Sequence, residues 1–92
     1  MPDLLAMLAL YYLCDSTAAL RGLDSAEVAA CMSNYEVLKV QFAADSPLAP
    51  LGSPERARQN RRAYAKFKAW EAENHQLVTR LRQNAARQNS DL

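Results

Sequence analysis

Six basic residues crowd into residues 56–68 (RARQNRRAYAKFK), interleaved with Tyr64 and Phe67. Bases spaced among aromatic rings are what phosphate contact and base stacking require. The six are Arg56, Arg58, Arg61, Arg62, Lys66 and Lys68, with Glu55 as the acid beside them. They form the candidate surface for an acidic protein or a nucleic acid. The simpler account is a solvated helix face whose aromatics point inward. No tight turn leads into a short recognition helix of the helix-turn-helix kind.

Other reactive side chains are few. Cys14 and Cys31 each lie eight residues from a Gly22-Leu23 turn. In an antiparallel hairpin they would face each other, and could bridge at about 5.5 Å between Cα atoms. Packing as two small buried hydrophobes is the plainer expectation. An apolar run follows Asp3 rather than a basic segment, which argues against a secretion signal. Reduced thiols in a cytoplasmic protein are therefore expected. Two cysteines and one histidine do not make a zinc ligand set. Glu71 precedes His75 by four residues, the spacing of a surface ion pair on one helix edge. Neither a nucleophile with its base nor a Gly-rich phosphate loop is present. The expectation is a protein that is not an enzyme and holds no cofactor or metal.

The charges are divided between the halves of the chain. Residues 1–50 carry six acids and two bases, and residues 51–92 carry nine bases and four acids. A net charge of +1 hides this dipole. Such a division means either a partner for the basic half or two halves that face each other.

The elements that must position these residues are helices. Two glycines and four prolines leave too little turn material for a sandwich or barrel. The apolar run LLAMLALYYLC (residues 4–14) is shorter than the about 20 residues that span a bilayer. It reads as a buried core helix over residues 2–20, closed by Gly22. A second helix starts at Asp24, whose partner Glu27 completes an acidic capping box, and continues to residue 44. Pro47 and Pro50 make residues 45–53 a linker, with Leu48 and Leu51 expected to pin it. Ser53, Pro54 and Glu55 then open a long amphipathic helix over residues 54–86, followed by a frayed tail, residues 87–92. The expected fold is all-α: one domain (residues 1–92), a three-helix protein with an N-terminal hairpin (2–44) and a long C-terminal helix.

Faces carry the functional expectation. The second helix has a main stripe of Val28, Cys31, Met32, Tyr35, Leu38 and Phe42, and an uncharged back face of Ala30, Ser33, Val37, Val40 and Ala44. The first helix is apolar nearly all round, with Leu10 and Leu13 on a side of their own. A helix apolar on every side must be covered on every side. Two neighbours in a three-helix monomer do not suffice. On the third helix Phe67 and Leu81 fall at heptad a, Trp70 and Leu77 at d, and Asn60 and Asn74 also at a. The expectation is therefore a small protein-interaction protein, an adaptor or inhibitor, acting as a homodimer without a membrane. Leu10, Leu13, Val37, Val40, Tyr64 and Trp70 would make the contact. The alternative is a nucleic-acid-binding regulator that uses residues 56–68.

Overall fold

A computed structural model places residues 3–43 and 47–90 of the chain. Those residues form four helices: α1 (Leu4–Arg21), α2 (Ser25–Phe42), α3 (Pro54–Glu73) and α4 (His75–Ser90). The all-helical class agrees with the sequence, but the count of three helices does not. The expected helix over residues 54–86 is two helices, broken at Asn74. The tail also differs, since α4 stays helical to Ser90. The expected start at Pro2 and end at Ala44 lie outside the described residues.

The helix starts are set locally. Asp24 accepts from the Glu27 N–H at 2.8 Å, and Glu27 accepts from the Asp24 N–H at 3.1 Å. This capping box satisfies two orphan donors at the head of α2. Gly22 ends α1 at φ 75°, a conformation that costs glycine little. Ser53 caps α3 by accepting from the Arg56 N–H at 3.1 Å, with Pro54 in the first turn.

The linker is held by polar groups, not by its leucines. Leu48 and Leu51 are exposed. Gln59, buried on the inner face of α3, accepts from the Ala49 N–H at 2.8 Å and donates to the Pro47 carbonyl at 2.7 Å. Arg56 donates to the Ala49 carbonyl at 3.0 Å.

The break at Asn74 follows from what α1 needs. Asn74 sits at φ −123°, ψ 34°, outside helical geometry. Its N–H and its side-chain Nδ2 both donate to the Trp70 carbonyl, at 3.0 and 2.9 Å. Asparagine competes with its own backbone in this way, so a helix is readily interrupted there. The turn lets α4 fold back along α1, which α2 already covers on another side. α4 lies mainly on α1 and α3 mainly on α2, while α3 and α4 touch each other little. The core gathers Met7, Leu8, Tyr12, Leu38, Phe67 and Val78. Tyr11 stacks on Tyr35 at 5.8 Å and meets Phe67 edge-on at 5.2 Å between ring centroids.

Candidate interaction surfaces

The hairpin of α1 and α2 has an outer face that the other two helices do not reach. On α2, Cys31, Tyr35, Leu38 and Phe42 turn inward, but Val28 and Met32 from the same expected stripe are exposed. Opposite them Ala26, Ala30, Ser33, Val37 and Val40 are all exposed and uncharged. Their spacing alternates four and three, the seam against which another helix packs. The expected member Ala44 lies outside the described residues. On α1, Leu10 is exposed and Leu13 is half-buried. Leu10, Val37 and Val40 each keep 38% of their surface open.

The two helices are joined beneath this face. Cys14 and Cys31 form a disulfide with 6.1 Å between Cα atoms, so they are not the free thiols the sequence suggested. Beside the bridge lies a groove of about 140 Å³ between Leu10, Leu13, Thr17 and Ala30. That is too small for a drug-sized ligand, and suits a protruding side chain. By length and composition α1 could also cross a membrane, with 18 residues at mean hydropathy 1.2. The helix is thus longer than the eleven-residue run that anchors it.

Tyr64 and Trp70, the other expected contact residues, part ways. Tyr64 is 49% exposed on α3. Trp70 is half-buried against the core, its ring 6.2 Å from Phe42. Neither belongs to the α1–α2 face.

The six basic residues differ in their surroundings. Arg56 is drawn under the linker and reaches Glu36 at 3.3 Å, joining the basic half to the acidic one. Arg58 is 3.5 Å from Glu55. Lys68 meets Glu71 at 2.9 Å, and its ammonium sits 5.6 Å from the Tyr64 ring centre. Lys66 is exposed. Arg61 and Arg62 are exposed and have no ion-pair partner among the described residues. The open basic surface is therefore narrower than the run of six suggested.

Glu71 anchors a network that the sequence did not disclose. It accepts from the Tyr12 hydroxyl at 2.6 Å and from Lys68, and Arg82 approaches at 3.5 Å. Three helices meet at one carboxylate. Burial alone would push Glu71 up, but hydrogen bonds from Tyr12 and Lys68, with the charges of Lys68 and Arg82, outweigh it and lower it. Burial first, then the bond to Glu71, raises the Tyr12 phenol. The expected pairing of Glu71 with His75 gives way to this network, because the chain breaks between them. Gln59 was the one missed residue with a readable signal. A polar side chain on the inward stripe of α3 must find a partner when buried.

No protein-family model matches this chain, and no match was found among curated proteins or solved structures.

Proposed function

We propose that this protein is a small non-enzymatic interaction module, an adaptor or inhibitor, that pairs with a second copy through the outer face of α1 and α2. The observation that carries this reading is the exposed, uncharged seam of Ala26, Ala30, Ser33, Val37 and Val40. Small and β-branched side chains allow two helix backbones to approach closely, and no charge on the seam must be desolvated. A two-fold arrangement lays this patch on its own copy, so the same residues serve both sides. The exposed arginines of α3 then remain available to steer an acidic protein partner.

Light scattering after size exclusion at several concentrations tests the dimer. The native chain should be dimeric, and Val37→Glu or Val40→Glu should be monomeric with unchanged helix content. A native monomer at high concentration overturns the reading, as do variants that keep the dimer.

A second reading rests on Arg61 and Arg62, which have no ion-pair partner among the described residues, and on the exposed Tyr64, all three on α3. They would contact phosphates while the ring stacks on a base, the nucleic-acid alternative. The Cys14–Cys31 bridge bears on the compartment, and speaks against the expected cytoplasm. A Cys14–Cys31 disulfide persists in oxidising surroundings more readily than in the cytoplasm, where the pair would be reduced. Thiol titration of the protein isolated under alkylating conditions decides between the two.

A further inference from the structure

The junction between α3 and α4 consists of one residue, and the helical ladder stops and restarts around it. The Asn74 N–H bonds the Trp70 carbonyl at 3.0 Å, and the Val78 N–H bonds the Asn74 carbonyl at 3.0 Å. Asn74 itself, at φ −123° and ψ 34°, is the one residue of the junction that lies outside both helices. No glycine or proline lies between Pro54 and the end of α4, so the sequence itself favours a continuous helix. What bends it is the packing of α4 on α1. Thr17 donates to Asn89 at 3.2 Å, and Asn89 donates to Ser16 at 2.9 Å. α4 has little contact with its own neighbour α3.

An α1 surface that takes α4 will take it from any chain that presents it. We propose that this protein exchanges α4 between two copies, with Asn74 as the hinge. In the exchanged dimer each α3 runs straight into α4, and that α4 packs on the α1 of the partner. Every α1–α4 contact is reproduced, and Asn74 takes up helical geometry in each chain. The cost is the lost freedom of two independent molecules, so concentration sets the balance. A one-residue hinge between elements that each pack elsewhere is the arrangement from which exchange arises. The continuous helix over residues 54–90 would be about 55 Å long at 1.5 Å per residue. The closed molecule measures 42 Å in its longest direction.

The test uses the full chain and two substitutions at the hinge. Asn74→Ala removes the side-chain bond to Trp70 and improves helix propensity in both chains. It should lower the concentration needed for dimer by about tenfold or more. Asn74→Gly keeps the break and should raise that concentration. The signature is an isotope-filtered nuclear Overhauser spectrum of dimer refolded from a mixture of labelled and unlabelled chains. Contacts between Thr17 and Asn89 should link unlike copies, and the scattering profile should show the longer particle. Contacts confined to one copy overturn the proposal, as does a monomer for both the native chain and Asn74→Ala at millimolar concentration. Val37→Glu, monomeric at the concentrations where the α1–α2 face pairs the native chain, should still show Thr17–Asn89 contacts between unlike copies at millimolar concentration, which separates exchange from pairing through that face.

Discussion

At the scale of single residues, Glu71 is where charge and burial meet most closely. Its carboxylate is 11% exposed and takes the Tyr12 hydroxyl, the Lys68 ammonium and the Arg82 guanidinium from three helices. Its ordinary value is 4.5, and in the fold it titrates lower. A group lowered by folding contributes stability that is fully present above its unfolded value. That contribution is lost as pH falls through the folded value. Glu27 behaves alike, held at about 2 by the Arg21 hydrogen bonds first and the Asp24 N–H next. The protein should therefore lose stability from about pH 4.5 downward, continuing toward pH 2. Glu71→Gln should cost about 1–3 kcal/mol at neutral pH and flatten that acid slope. Tyr12→Phe should cost a similar amount without changing the charge. Urea titrations between pH 2.5 and 7 measure both. A Glu71→Gln slope equal to the native one would show that the network does not couple proton binding to folding.

At the scale of elements, the α1–α2 hairpin is held by a covalent bridge and α4 by packing and a few polar contacts. Cys14 and Cys31 are separated by 17 residues, and closing a loop of that length stabilises by about 3 kcal/mol in the chain-entropy account. Reduction, or Cys14→Ser with Cys31→Ser, should lower the unfolding free energy by about 2–3 kcal/mol in urea. An unchanged midpoint would mean that α1 and α2 pair as firmly without the bond. The starts of α2 and α3 were legible in the sequence, because Asp24, Glu27, Ser53 and Pro54 act on groups within one turn of themselves. Facing cysteines were legible too, as a consequence of the turn at Gly22. The break at Asn74 was not. An interior asparagine costs a helix less than about 1 kcal/mol, too little to end it by local preference. The decision belongs to α1, whose apolar surface attracts α4 from the far end of the sequence. Reasoning from coverage recognised that α1 needed more partners, but the chain supplies one of them itself. The contact surface divided in the same way: periodicity separated the two faces of α2, yet could not tell that Trp70 packs inward while Tyr64 stays open.

At the scale of the whole molecule, two kinds of surface lie on different helices and respond differently to salt. The seam of α2 carries no charge, so a dimer made there gains from burying apolar surface and should tolerate ionic strength. The open bases Arg61 and Arg62 are carried on α3, where a phosphate backbone would release counterions on binding. Two such contacts give a slope of about −2 in log affinity against log salt, steeper if Lys66 or Lys68 joins. Sedimentation between 50 and 500 mM salt should leave the dimer constant within about twofold if the apolar seam holds it. Binding of a short oligonucleotide, if this chain has it, should fall along that slope and vanish in Arg61→Glu with Arg62→Glu. The same double variant should leave the dimer as it was. A dimer that dissolves in salt would place its interface among the arginines and away from Val37 and Val40. Absence of oligonucleotide binding at 50 mM salt would remove the nucleic-acid reading of Arg61 and Arg62.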